Sequence, residues 1–272
     1  MLALSERGAT AARSLSYAAL ADYGRCGYRF LAERVLRLGT DADLPSGNPD
    51  AAPRGSGMGF GRAVHELLEW SARNGWRQPA DEAVAAIVGR EGFGTAEAER
   101  AAGLVAAWTD SPLLASLGDA GATFRPEVPF RIGLGEQTVI RGTIDLLVTR
   151  PGAAPMFVDY KTDRVAPGED PVLTEAYEMQ RVLYAASLAE ATGAERIDSA
   201  YCFLQAPDRP ILASLDGAAI ASGRARIEER VGRIRAGDFS PTPDPGPALC
   251  HDCPARARLC PYPPEQTLGT AG

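Results

Sequence analysis

Three segments in the middle of the chain most constrain its fold. Residues 124–132 (FRPEVPFRI), 138–149 (TVIRGTIDLLVT) and 155–161 (PMFVDYK) alternate or run apolar, with turn residues between them, which is the pattern of successive strands. Helical periodicity surrounds them. Ser14 to Leu38 reads as one helix capped by Ser16 and closed by Gly39, with Leu15, Leu20, Tyr23, Tyr28, Phe30, Leu31 and Val35 at helical intervals. Further helices are expected near 59–74, 80–91, 95–117, 174–192 and 216–236, and short strands near 197–205 and 210–215. Residues 40–57, rich in Pro, Gly and Asp, read as a mobile loop. Helices, a three-strand meander, a helix and further strands define an α/β (α+β) domain, one mixed central sheet flanked by helices.

A chain of 272 residues with 45% apolar and 23% charged residues can form a single core and fits an ordinary globular composition. Its net charge of −7 argues against a surface that grips polyanions everywhere, but it allows a basic channel beside an acidic metal site. The start, MLALSERGATAARSLS, lacks the apolar stretch of a signal peptide. No apolar run approaches the roughly 18 residues of a membrane span. A cytoplasmic location with no membrane partner is expected. No GxxxxGK[ST] is present, which argues against a nucleotide-driven motor. Five cysteines without an export signal favour metal binding or free thiols over a disulfide framework.

The only lysine among 28 basic residues is Lys161, in MFVDYKTD. Asp159 and Lys161 lie two apart on a predicted strand, so they leave the same face, and Tyr160 leaves the other. On the preceding strand, RGTIDLL puts Asp145 where a hairpin neighbour approaches Asp159. Two carboxylates desolvated side by side cost several kcal/mol, and a divalent cation removes that cost, because Mg²⁺ or Mn²⁺ takes oxygen ligands. His65, mid-helix in GFGRAVHELLEW, reads alone as a structural histidine; beside Asp145, Asp159 and Lys161 it reads as a ligand. Metal-assisted phosphodiester hydrolysis needs such a set, and a compact ammonium meets developing phosphate charge better than a flat guanidinium.

These residues resemble the RecB-like branch of the PD-(D/E)xK nucleases. The resemblance runs from SLSYAALADYGRCGYRF through GRAVHELLE, GTID and VDYKT to YEMQRVLYA. It implies His65, Asp145, Asp159 and the backbone carbonyl of Tyr160 as metal ligands, with Lys161 catalytic. Gln180 and Tyr184, spaced i,i+4, match the family's QxxxY motif, which lies near the scissile strand; their spacing alone fits an ordinary amphipathic helix equally well. Glu127, in PEVPF, sits where the family often carries an acid, with its role open. The implied activity is metal-dependent DNA cleavage, exonucleolytic on single-stranded ends, by the nuclease module of a helicase–nuclease in recombination or repair. The implied partner is a helicase, either a domain or a separate subunit. The alternative is a module that binds single-stranded DNA or a helicase without cutting.

Cys250, Cys253 and Cys260 stand as C-x2-C-x6-C, with Cys26 far upstream. Four thiolates suit zinc or a [4Fe–4S] cluster, and spacing leaves both open. AddB-type and CRISPR-associated relatives carry the cluster on one upstream and three downstream cysteines, so the resemblance implies it here. The x6 gap, Gly27 in place of the usual proline, and His251 as a substitute ligand keep zinc as the alternative. Cys202, inside AYCFLQ, reads as a core thiol. The expected organisation is a single nuclease domain over 1–272, with a helical part at 14–120, the nuclease core at 121–240, and a cysteine-rich tail at 241–272 packing back on Cys26. The helix bearing Arg224, Arg226, Arg230, Arg233 and Arg235 fits either a solvated face or a strand-binding one.

Overall fold

The computed structural model describes residues 4–38, 57–135, 137–163, 177–256 and 259–269. Gly39, the expected loop at 40–57 apart from Gly57, and the first residues of the expected helix 174–192 lie outside that set. In chain order the elements are α1 (Leu4–Ala11), β1 (Ser14–Ser16), α2 (Tyr17–Arg25), α3 (Gly27–Phe30) with a π-helical turn at Leu31–Val35, α4 (Gly57–Arg73), α5 (Asp81–Arg90), α6 (Thr95–Thr109) and α7 (Pro112–Asp119). There follow β2 (Thr123–Leu134), β3 (Thr138–Thr149), β4 (Met156–Lys161), α8 (Glu178–Thr192), β5 (Arg196–Phe203), β6 (Ile211–Asp216), α9 (Gly217–Ala236), α10 (Pro247–Cys250) and α11 (Pro264–Leu268). The sheet is mixed, in the order β1-β3-β4-β5-β6 with β2 also paired to β3. The fold class is that expected, an α/β chain with a mixed central sheet flanked by helices.

Two compact units divide the chain. One gathers Met1–Ala51, Arg131–Gly142 and Gly223–Gly272, the other Ala52–Phe130 and Thr143–Ser222. In the second unit β4 runs antiparallel to β3 and parallel to β5. The parallel step needs a crossover, and α8 supplies its helix. One sheet face packs on α4–α7 through Val64, Leu67, Leu68, Val88, Val105 and Trp108 against Leu146, Val158, Tyr160 and Cys202. Tyr184 of α8 meets Phe157 of β4 at 5.3 Å between ring centroids, so α8 covers the side of β4 that also carries Asp159.

The first unit corrects the expected helix at 14–38. Ser14–Ser16 is a short strand parallel to β3, with Ser14 opposite Val139. Ser16 does cap the helix that follows, accepting from the Ala19 N–H at 3.2 Å. Cys26, extended at φ −162°, then ends α2 and caps α3, its sulfur accepting from the Arg29 N–H at 3.5 Å. A Cβ at Gly27 would fall 2.8 Å from the Ser240 carbonyl oxygen, so a bulkier residue there would force the backbone to shift. Tyr23 donates to the Asp238 carbonyl at 2.7 Å, and Phe30 stacks on Phe239. The expected helix at 95–117 is two helices. Pro112 cannot donate to a continuing helix and instead opens α7, with Ser111 accepting from the Leu114 N–H at 3.2 Å.

Candidate functional site

The register of the β3–β4 hairpin sets Leu146 opposite Val158, and one further residue brings Asp145 across from Asp159. Asp145 Oδ2 accepts the Tyr160 N–H at 2.8 Å, and its Oδ1 lies 3.4 Å from His65 Nδ1, delivered by α4. Strand alternation sends Tyr160 into the core, edge-on to His65 and Trp108. It sends Asp159 and Lys161 to the other face, where Lys161 Nζ sits 2.6 Å from Asp159 Oδ2. Asp159 is 1% exposed.

Gln180 closes this arrangement. Its amide donates to Asp159 Oδ1 at 2.8 Å and to the Tyr184 hydroxyl at 3.0 Å, and its carbonyl accepts from Lys161 Nζ at 3.1 Å. Gln180 and Tyr184 are each 6% exposed, and Tyr184 is flanked by Phe130 and Phe157. The i,i+4 pair on α8 therefore points inward, with Gln180 bonded to Asp159 and Lys161. Two tyrosines missed in the sequence sit beneath the ammonium. Lys161 Nζ lies 4.4 Å from the Tyr177 ring centroid and 5.4 Å from that of Tyr201, and the two rings stack at 5.2 Å. Tyr177 stands i−3 to Gln180, a signal open to inspection. Tyr201 pairs with Asp159 across β4 and β5, which only the sheet order reveals.

Burial opposes the charge on Lys161, but the Asp159 carboxylate outweighs it and holds the ammonium above its usual range. Burial, reinforced by Asp145, raises the Asp159 carboxyl against the pull of Lys161. For His65 burial again opposes the charge, and the Asp145 carboxylate overcomes it, holding the imidazole at about 9. Glu127 enters here. Burial and the Asp145 charge raise its carboxyl to about 7. Ligand atoms of His65, Glu127 and Asp145 lie within 4.8 Å of one another. An imidazole nitrogen with carboxylate oxygens is a donor set that divalent cations accept, so these residues fit a metal ion.

Cys26, Cys250, Cys253 and Cys260 all line one pocket of the first unit, with Arg29, Leu249, Ala255 and Tyr262. Among the described residues no three of these sulfurs fall within 4.8 Å of one another. Arg29 ties the tail to α3, donating to the Leu249 carbonyl and pairing with Asp252 at 2.8 Å and Glu33 at 2.7 Å. Cys202 is fully buried, its thiol pushed up to about 12 by burial. On α9, Arg224 donates to the Gly133 carbonyl, Arg233 pairs with Asp238, and Arg235 donates to Gln137. No helix among the described residues is long and apolar enough to cross a membrane.

A mixed sheet with a histidine from the helical layer, paired acids on a hairpin and one half-buried lysine defines a nuclease class. The profile of the PD-(D/E)XK nuclease superfamily matches residues 14–261, and the chain belongs to that superfamily. Its similarity extends to an ATP-dependent helicase/nuclease subunit from Desulforudis audaxviator, 34% identical over 205 residues that cover 65% of this chain and 16% of the relative. The protein of the same name from Acetivibrio thermocellus is 31% identical over 100 residues, 31% of this chain and 8% of that protein. The chain thus spans about a sixth or less of the curated relatives it matches. A crystal structure from Eubacterium rectale, provisionally named an exonuclease, shares the fold with a TM-score of 0.55 at 14% identity, over 94% of this chain and 92% of that one.

Proposed function

We propose that this chain is a Mg²⁺- or Mn²⁺-dependent deoxyribonuclease, exonucleolytic on single-stranded ends, working with a helicase domain or helicase subunit in recombination or repair. One observation carries the reading: within a superfamily nuclease fold, the lone lysine is sealed against Asp159 and Gln180 beside the His65–Asp145 pair. The helicase/nuclease names of the relatives support the helicase partner. His65, Asp145, Asp159 and the Tyr160 carbonyl would hold the ion. When bound, it would polarise the phosphoryl oxygen and lower the pKa of a water.

The side chains around it have separable tasks. Tyr160 N–H fixes the Asp145 carboxylate. Lys161, kept protonated by Asp159, meets charge developing on the phosphate and does not act as a free base. Gln180 holds Asp159 and Lys161 in register, and Tyr184 holds Gln180, so this pair serves the strand through the lysine. The chain is read as one nuclease domain over 1–272, since β2 and β3 each run through both units. The cysteine pocket is read as a [4Fe–4S] site. Four thiolates gathered along one pocket are the ligand type that such a cluster takes, with zinc as the alternative.

The test is a cleavage assay with end-labelled single- and double-stranded DNA and RNA in Mg²⁺, Mn²⁺ or chelator. It runs beside a visible spectrum of anaerobically purified protein. Ion-dependent shortening of single-stranded DNA from an end is expected, together with the broad absorption of an iron–sulfur chromophore. Lys161→Ala and Asp159→Ala should lose cutting by about 10²–10³-fold or more while DNA binding persists. Cutting by Lys161→Ala at the wild-type rate would refute the assigned mechanism.

A further inference from the structure

Among the described residues three charged side chains are buried: Asp145, Asp159 and Arg181. The two acids are engaged, Asp145 by the Tyr160 N–H and His65, Asp159 by Lys161 and Gln180. Arg181 is not. It is 6% exposed, and its Nε and Nη2 are buried without a hydrogen-bond partner. We infer that the Arg181 guanidinium binds a phosphate of the DNA strand other than the one being cleaved; the inference rests on the nuclease reading above.

An arginine cannot escape burial by giving up its proton. An unpaired guanidinium in a low-dielectric site therefore keeps the cost of its lost hydration until an anion arrives. Its place in the fold says which anion. Arg181 follows Gln180 on α8, and its Cζ lies 5.1 Å from the centroid of the Tyr201 ring. Lys161 Nζ lies 5.4 Å from the same centroid, so two cations border one ring beside the paired acids. Asp159 balances the charge of Lys161, whereas no carboxylate among the described residues pairs with Arg181. A strand carries a phosphate at every nucleotide, so one whose scissile phosphate meets Lys161 brings further phosphates to this neighbourhood. The contact with the Tyr201 ring is attractive, but it leaves the N–H donors unused. Nε and Nη2 share one edge of the guanidinium, and that edge offers a phosphate two parallel hydrogen bonds in a fixed plane.

The test titrates the full chain with a fluorescent single-stranded oligonucleotide in chelator, over a series of KCl concentrations, for the wild type, Arg181→Met and Arg181→Lys. Arg181→Met should bind at least about tenfold more weakly. Its plot of log affinity against log salt should be shallower by about 0.7, the share of one phosphate contact on a single strand. Its melting temperature without DNA should not fall, because an unpaired buried charge has been removed. Arg181→Lys should keep the salt slope and recover part of the affinity, lacking only the two-pronged contact. Oligonucleotides with one neutral methylphosphonate at successive positions, or without a terminal phosphate, then locate the partner. One such change should weaken binding by the wild type and leave Arg181→Met unaffected, at an internal position or at an end. If Arg181→Met melts lower than the wild type, the same comparison is read in Arg181→Lys. Wild-type affinity and slope in Arg181→Met, or equal penalties in both proteins at every phosphate, overturns the inference. A Mg²⁺ cleavage assay run alongside isolates the underlying reading. Cutting by the wild type with no effect of Arg181 on binding loses Arg181 alone; a matched phosphate without any cutting keeps Arg181 and loses the nuclease; no DNA binding by the wild type loses both.

Discussion

Lys161 shows how little room the site leaves for a substitute. Its side chain is 15% exposed, with Asp159 Oδ2 at 2.6 Å, Gln180 Oε1 at 3.1 Å and the Tyr177 ring beneath the ammonium. A guanidinium is broader, flat and five-fold donating, so Lys161→Arg should bind Mn²⁺ normally in a titration yet lose about 10²-fold or more in kcat. Wild-type turnover would show that charge alone suffices. Gln180→Leu leaves Asp159 and Lys161 each short of a buried partner, at about 1–3 kcal/mol apiece. A thermal melt should record a fall of roughly 4–10 °C, and an unchanged melt would mean that the Gln180 bonds contribute nothing net. The residue types of this site were legible in the sequence, because a lone lysine two residues from an aspartate on a strand has few ordinary explanations. The inward aim of Gln180 and Tyr184 was not legible, because helical spacing gives a face but not what covers it.

Local signals succeeded among the elements wherever a segment's own pattern decided its structure. The strands at 138–149 and 156–161 and the helix at 217–236 lie within a residue or so of expectation, since period and turn residues set them. They failed where a partner decided. Ser14–Ser16 is a strand only because Val139–Arg141 is there to pair with it, and the break at Cys26 accompanies the packing of the tail against α3. That docking is testable through Arg29, whose side chain holds Leu249, Asp252 and Glu33 at once. Each hydrogen bond to a charged group contributes about 1.5–3 kcal/mol when well formed. Arg29→Ala should speed proteolytic cleavage within residues 241–269 and lower the melting temperature, with Mn²⁺ affinity unchanged. Tail cleavage at the wild-type rate would show that Arg29 is not its anchor.

For the whole molecule, stability without metal should fall as pH rises. Glu127 is raised from 4.5 to about 7 and His65 from 6.5 to about 9. A raised folded-state value favours the native form while the group is protonated, and that contribution disappears as pH passes through the folded value. Melting temperature in chelator should therefore decline between about pH 5 and pH 9. Saturating Mn²⁺, by replacing the proton as counter-charge, should flatten or reverse the trend, adding about 2.7 kcal/mol at 100 times Kd. A metal-free melting temperature that climbs over this range would contradict the charge balance assigned to the site. By itself the sequence determined the mixed α/β class, the strand meander, and the residue types of a metal-assisted nuclease, because these follow from periodicity and from what isolated charges can tolerate. Only the tertiary structure decided that Glu127 joins His65 and Asp145 and that two tyrosines underlie Lys161. Those outcomes depend on sheet order and on which surfaces are left to meet, and nothing within any single segment encodes them.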